Sequence, residues 1–422
     1  MWTIAGRGRP WIDQQWLAHA AYYVAWKAGG YPLVGLLSTV LVASAFTGLA
    51  ALSAWRGVPA RYACLLSIAA FAACIGNTVI RAQSFAYPLY VGLLALLFRN
   101  LRKGRPSWEL AGAVAALVVW ANLHGTVLLA AAMVIVYAGV RALTARGRSA
   151  ALYAVTAVAA SLSFAATPYG FGAVRYYRSL IGNNVVSAHI LEWSSPSLGS
   201  IISLGFFLFL LLVVGALGYA YGRSRRVEPA ELALLVLVGL LVTQGVRYQA
   251  WFVILGALSA GAALAGGERK PPRLSPRFVR LLMTTASVFA VFATVMTVAT
   301  SSAHFESDAP RGAIKAASAY LTRHPGARIL ADDRSSSALL WLDPASAGHV
   351  GFDARLEQFR PSDLAAWFDY IDVTAPDWLR VTRGYDILLA SRDNERLVQH
   401  LRRLHGWKTV YAGRDGVVLA RT

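Results

Sequence analysis

The stretch LAGAVAALVVWANLHGTVLLAAAMVIVYAGVRAL, residues 110–143, is apolar for longer than one bilayer crossing requires, and its polar centre is Asn122-Leu123-His124-Gly125. A helix rises about 1.5 Å per residue and a hydrocarbon core is about 30 Å thick, so this stretch predicts two antiparallel helices joined by a polar turn. Apolar runs of comparable character occur at about 33–53, 62–80, 84–98, 109–121, 123–141, 150–167, 201–221, 230–244, 248–266 and 279–300. The 422 residues are 57% hydrophobic and 14% charged, which is more apolar surface than one water-soluble core can hide. The expected fold is therefore mainly α, a polytopic transmembrane helix bundle of about ten spans.

A net charge of +19 raises the question of a nucleic-acid partner, and its distribution argues against one. Residues 305–422 hold 16 Lys/Arg against 15 Asp/Glu, whereas residues 1–304 hold 24 against six. One set of alternate loops carries seventeen of these cations: Arg56 and Arg61; Arg99, Arg102, Lys103 and Arg105; Arg141, Arg146 and Arg148; Arg223, Arg225 and Arg226; Arg269, Lys270, Arg273, Arg277 and Arg280. The opposite loops carry four, namely Arg81, Arg175, Arg178 and Arg247. The positive-inside rule puts the first set in the cytoplasm. An even number of spans then places both termini outside, which predicts an upstream transmembrane segment that this numbering does not include.

Two domains are expected: residues 1–304, a transmembrane domain with an N-terminal extracytoplasmic loop, and residues 305–422, a soluble extracytoplasmic α/β domain. In the latter the period changes. Helices are expected at Pro310 to His324, Ser362 to Val373 and Asn394 to Leu404, and strands at Arg328 to Ala331, His349 to Asp353, Asp386 to Ala390, Lys408 to Ala412 and Val417 to Ala420. Gly413-Arg414-Asp415-Gly416 is the turn of a final hairpin. Cys64 and Cys74 lie ten residues apart in one apolar segment, roughly 15 Å on a helix, too far to bridge. There is no Gly-rich nucleotide loop, no zinc-like ligand spacing and no nucleophile elbow, so neither a bound cofactor nor a metal centre is expected. A metal requirement stays open.

Sidedness sorts the polar residues. Of the six acids before residue 305, Glu109, Glu228, Glu231 and Glu268 fall at cytoplasmic loops, and Asp13 and Glu192 face outward, each beside tryptophan. Such carboxylates suit a proton acceptor or a ligand for sugar hydroxyls; the competing reading is a solvated loop acid or a helix cap. On the same side lie Arg81-Ala82-Gln83-Ser84, Asn122-Leu123-His124-Gly125, Thr167-Pro168-Tyr169-Gly170 and Gln244-Gly245-Val246-Arg247-Tyr248. Arg81 and Arg247 suit a lipid-linked phosphate or, alternatively, snorkel to headgroups. His124 suits phosphate binding, proton transfer or a local hydrogen bond. Trp2, Trp11, Trp16, Tyr22, Tyr23 and Trp26 read most simply as one interfacial helix, with sugar stacking as the second reading.

Gly8-Arg9-Pro10-Trp11-Ile12-Asp13 with Trp16-Leu17, Arg81-Ala82-Gln83-Ser84-Phe85, Trp120-Ala121-Asn122-Leu123-His124-Gly125, Pro168-Tyr169-Gly170 and Glu192-Trp193 together resemble a bacterial family of membrane proteins similar to the GT-C glycosyltransferases. The piece around Gly351-Phe352-Asp353-Ala354-Arg355 is similar to the domain after the last span in that family. The resemblance implies a cytoplasmic (inner) membrane enzyme that transfers a sugar from a polyprenyl-phosphate donor to a glycan, lipid or protein acceptor outside the cytoplasm. In such enzymes the catalytic acid sits in the first outward loop, where Asp13 is the acid present here; Gln14 and Gln15 stand where relatives commonly carry another, and Arg81-Ala82-Gln83 replaces an Arg-Pro-Gln form. The implied roles are proton acceptor for Asp13 or Glu192, and substrate or phosphate binding for Arg81, Gln83, Asn122, His124, Tyr169 and Arg247. A lipid-linked glycan flippase and a non-catalytic scaffold of envelope assembly are the alternatives.

Overall fold

The structure is a computed structural model describing residues 2–180, 183–223, 227–266 and 309–422, with isolated positions between 276 and 295. The expected span at 279–300 lies largely outside the described residues, as do Arg225, Arg226, Glu268, Arg269, Lys270 and Arg273. The chain divides into two compact units, one of Ile12–Val174 and Leu191–Ser301 and the other of Met1–Trp11, Arg175–Ile190 and Ser302–Thr422.

The larger unit is helical: α1 (Trp16–Trp55), α2 (Ala60–Ala73), α3 (Ala86–Lys103), α4 (Trp108–Leu123), α5 (Val127–Thr144), α6 (Arg148–Leu162), α9 (Ile201–Gly222), α10 (Pro229–Val242) and α11 (Gln249–Ala265), while α7 (Ala173–Leu180), from Arg175 on, and α8 (Asn184–His189) belong to the smaller unit. Among the described residues six helical stretches are long and apolar enough to cross a membrane, as a multi-pass membrane protein requires: Trp16–Trp55, Ala82–Lys103, Val127–Thr144, Arg148–Ala165, Ser203–Gly222 and Val246–Ala265. The apolar runs predict ten crossings. Helices α2, α4 and α10 coincide with three of them, but at 14, 16 and 14 residues they extend about 21–24 Å, less than a hydrocarbon core. The expected turn in the run 110–143 is present, since α4 stops at Leu123 and α5 begins at Val127.

Packing explains why so apolar a sequence adopts one arrangement. Helix α11 is almost wholly buried, and its Trp251 ring lies 5.1 Å from Tyr87, 5.0 Å from Tyr90 and 5.7 Å from Trp120. Lipid tails are as apolar as leucine, so shape and polar pairing fix helix contacts. One end of the bundle is tied by such pairs: Arg56 grips Glu231 with two 2.7 Å bonds, Lys103 meets Glu109 at 2.6 Å, and Arg141 donates to the Gly104 carbonyl at 2.8 Å. Helix α1 is broken at Gly29 and Gly30, the latter at φ 67°, with Pro32 just beyond. Trp16, Tyr22, Tyr23 and Trp26 precede this break and share the first segment of α1, as one interfacial helix requires. Trp2 and Trp11 do not: they flank the Arg355 guanidinium of the smaller unit at 5.4 and 5.0 Å.

The smaller unit is built on a four-stranded sheet, β1 (Ile329–Ala331), β2 (Ile387–Ser391), β3 (Trp407–Ala412) and β4 (Gly416–Arg421), in the order β1-β2-β4-β3; β1 and β2 are parallel and the rest antiparallel. Four helices accompany it, α12 (Arg311–Arg323), α13 (Asp333–Leu342), α14 (Pro361–Asp372) and α15 (Glu395–Leu401). The expected strand at His349 to Asp353 is reduced to bridges at Val350, which pairs with Ile329 on one side and Thr3 on the other. The N-terminal residues thus extend this sheet, Ile4 N–H donating to the Val350 carbonyl at 2.8 Å. Asp415, in the expected hairpin turn, accepts from the free N–H groups of Gly312 (2.5 Å) and Ala313 (3.2 Å) and so caps α12 from a distance in sequence.

Candidate functional site

The end of the larger unit opposite the Arg56–Glu231 pair gathers the turns between α2 and α3, α4 and α5, and α10 and α11 with the start of α1. Three hydrogen bonds bring the start of α1 there: Gln14 Nε2 to the Ala121 carbonyl (2.8 Å), Trp16 Nε1 to Asn122 Oδ1 (2.8 Å) and Tyr22 Oη to the Arg81 carbonyl (2.9 Å); a fourth, Asn122 Nδ2 to the Ala166 carbonyl (2.8 Å), adds the 163–170 turn. A buried polar group needs a partner, so these bonds set position more than they add stability.

Arg81 and Glu192, far apart in sequence, form an ion pair at 2.7 Å. Beside it Trp193 receives the Arg247 guanidinium 3.2 Å from its ring centroid, and Tyr248 lies 4.7 Å away on the same cation. The two turns are joined by Val246 N–H to the Ser194 carbonyl (2.9 Å) and Ser195 Oγ to the Thr243 carbonyl (2.7 Å). Gly245 permits this approach, because a Cβ there would stand 3.0 Å from the Glu192 carbonyl oxygen. Arg247 has no carboxylate within ion-pair distance among the described residues, and its Nε is buried with no hydrogen-bond partner there. Nη2 donates to the Tyr248 hydroxyl at 2.6 Å, and the Trp193 face stabilises the cation without using up its remaining N–H donors. The arrangement leaves a cation able to take an anion.

His124 sits between α4 and α5, where Thr126 donates to its Nδ1 from the backbone N–H (3.2 Å), with the Thr126 hydroxyl 2.8 Å away. Trp120 Nε1 donates in turn to that hydroxyl at 3.1 Å. Burial first, then the charges of Arg247, Arg81 and His19, push the imidazole down to about 3. It is therefore neutral at physiological pH, with Nδ1 as acceptor and Nε2 carrying the proton.

Asp13 accepts the Gln15 N–H at 3.2 Å, and both of its oxygens meet His19 Nδ1, at 2.9 and 3.0 Å. His19 is the partner of Asp13 that the sequence reading did not single out, and its position six residues after Asp13, across a helix start, matches no standard spacing. Trp193 was quoted only as a neighbour of Glu192.

The remaining expected site residues occupy other places. Asn122 uses its oxygen on Trp16 and its amide nitrogen on the Val118 and Ala166 carbonyls, so it works as a clamp between segments. Gln83 is buried and donates to Tyr87 Oη (3.0 Å), which donates to the Asn77 carbonyl (2.6 Å), an internal chain that shapes the turn before α3. Tyr169 is held through its N–H by Thr167 Oγ1 at 3.3 Å, with no bond into the Arg81–Glu192 group among the described residues. Asp13, Arg81, His124, Glu192 and Arg247 therefore converge on one end of one compact unit. No group of three or more His, Cys, Asp or Glu close enough for a metal ion occurs among the described residues. Comparison with protein-family models finds no match, and comparison with curated proteins finds none either.

Proposed function

We propose that the chain is a membrane glycosyltransferase of the GT-C kind, transferring a sugar from a polyprenyl-phosphate donor to a glycan, lipid or protein acceptor outside the cytoplasm. On this reading the chain crosses the cytoplasmic membrane ten times, with the Arg81 end of the bundle and the residues after the last span outside. The observation that carries it is the Arg247 guanidinium, stacked on Trp193 and lacking a carboxylate, beside Arg81 and a neutral His124. Two fixed cations and one N–H donor match the charge that develops on a departing phosphate, and donors that are already in place need not reorganise during the reaction. Glu192 holds Arg81 in line, which leaves Asp13 as the carboxylate at the proton-accepting side. A transporter of the same lipid would need charged groups near the bundle middle. The ion pairs described instead lie toward its ends: Arg56–Glu231 and Lys103–Glu109 at one, Arg81–Glu192 at the other.

Separate Asp13→Asn and Glu192→Gln variants test this in membranes supplied with radiolabelled polyprenyl-phosphate sugars. The Asp13 variant is expected to lose about 10²-fold or more of the transfer rate, as removal of proton-transfer catalysis does. Glu192→Gln is expected to act mainly by raising the donor KM. Full activity in both variants would remove these assignments.

A further inference from the structure

We propose that the proton acceptor of this site is the imidazole of His19, with Asp13 as its positioning carboxylate. The inference rests on the glycosyl-transfer reading and names the atom that serves it. Both oxygens of Asp13 meet His19 Nδ1, and one also takes the Gln15 N–H, so the carboxylate is committed to the start of α1. Its side chain is 17% exposed, whereas that of His19 is 50% exposed. An incoming hydroxyl therefore meets the ring and not the acid. A carboxylate on Nδ1 keeps the proton there and presents Nε2 as a lone pair, which is the arrangement of a base oriented by a third group.

His19 is also placed for the task. It lies in the first turns of α1 between Trp16, whose Nε1 donates to Asn122 at 2.8 Å, and Tyr22, whose hydroxyl donates to the Arg81 carbonyl at 2.9 Å, so the imidazole stands on the segment tied to the turn that carries Arg81. The step balances as follows. The acceptor O–H gives its proton to His19 Nε2 while its oxygen bonds to the anomeric carbon. The bond from that carbon to the phosphate oxygen breaks, and the electron pair leaves on the polyprenyl phosphate beside Arg81 and Arg247. The imidazolium is neutralised by Asp13 and returns its proton to water. No other reactant is needed. The two histidines divide the work by their partners: Thr126 N–H on His124 Nδ1 leaves a donor at Nε2, and Asp13 on His19 Nδ1 leaves an acceptor.

The test uses the full chain in detergent, with radiolabelled polyprenyl-phosphate hexoses and pentoses as donors and native membranes as the acceptor source. His19→Gln is expected to lower kcat by about 10²–10⁴-fold with the donor KM within about twofold. His19→Ala, which leaves room for a free base, should recover activity in millimolar imidazole. Asp13→Asn should lose a comparable factor, because an amide donor on Nδ1 reverses the tautomer. Retention of activity by His19→Gln alongside its loss in Asp13→Asn would make Asp13 itself the acceptor and overturn the proposal. So would a folded His19→Ala that imidazole does not rescue, or a His19→Gln defect confined to KM. Absence of transfer by the unaltered chain from every donor would instead remove the functional reading on which the proposal rests.

Discussion

His124 shows how one residue's chemistry is set by its neighbours. In water an imidazole titrates near 6.5; here burial and then Arg247, Arg81 and His19 hold it down to about 3. Between those values the unfolded chain binds a proton that the folded chain refuses, so stability falls as pH drops through that window. From pH 7 to 5 the penalty is on the order of 1–2 kcal/mol. The thermal midpoint of the unaltered protein in detergent should therefore fall more steeply over that range than that of His124→Gln, and parallel curves would contradict the assignment. The sequence marked His124 as polar in a turn, but its charge state depends on arginines 43 residues before and 123 after it, which no local pattern reports. Asn122 carries the opposite lesson. Its reading as a ligand came from its place in a polar turn, whereas its bonds to Trp16, Val118 and Ala166 form only once α1 folds back on α4, so its work as a clamp is visible only in the fold.

Helices were easier to read than single side chains, because an apolar run in a bilayer must satisfy its own backbone and has few other structures open to it. The turn at 122–125 and the hairpin at 413–416 follow from polar and glycine residues interrupting periodic segments. What the pattern did not yield depends on contacts distant in sequence. Helix α13 starts at an Asp332 cap whose two oxygens take N–H groups from Ser335 and Ser391, on either side of the sheet connection. The run at 349–353 became a bridge because its partners are the short β1 and the N-terminal residues. Close approach between helices is likewise invisible in a hydropathy trace. A Cβ on Gly205 of α9 would collide with the carbonyl oxygen of Ala73 at the end of α2, which also accepts from Gln249 Nε2 at 2.7 Å. Gly205→Val should destabilise the protein by about 1–3 kcal/mol, while Gly218→Ala in the same helix, where nothing lies within 4 Å, should be neutral or mildly stabilising. Equal thermal midpoints for the two variants would show that α9 does not pack on α2 as described.

At the scale of the whole molecule, the larger unit is a bundle with two chemically different ends. Arg56, Arg102, Lys103 and Arg141 crowd one end, where Glu231, Glu109, aromatic faces and carbonyl oxygens satisfy them. The other end has fewer cations, and one of them, Arg247, is held by the Trp193 and Tyr248 rings and by the Tyr248 hydroxyl, with no carboxylate in ion-pair distance among the described residues. The alternation of basic loops made the two ends legible in the sequence, whereas the pairing of Arg81 with Glu192 and of Arg247 with Trp193 needed the fold. If the sparse end receives a lipid-linked phosphate, its affinity must depend on Arg247 and not on basic residues elsewhere. Equilibrium binding of a fluorescent polyprenyl phosphate to the protein in lipid nanodiscs measures this, comparing the unaltered chain with Arg247→Gln and with Arg223→Gln, whose arginine rests on Tyr219. Loss of a charge-assisted contact of about 1.5–3 kcal/mol predicts affinity weakened roughly 10- to 100-fold in Arg247→Gln and unchanged in Arg223→Gln; equal affinity in all three proteins would contradict the account.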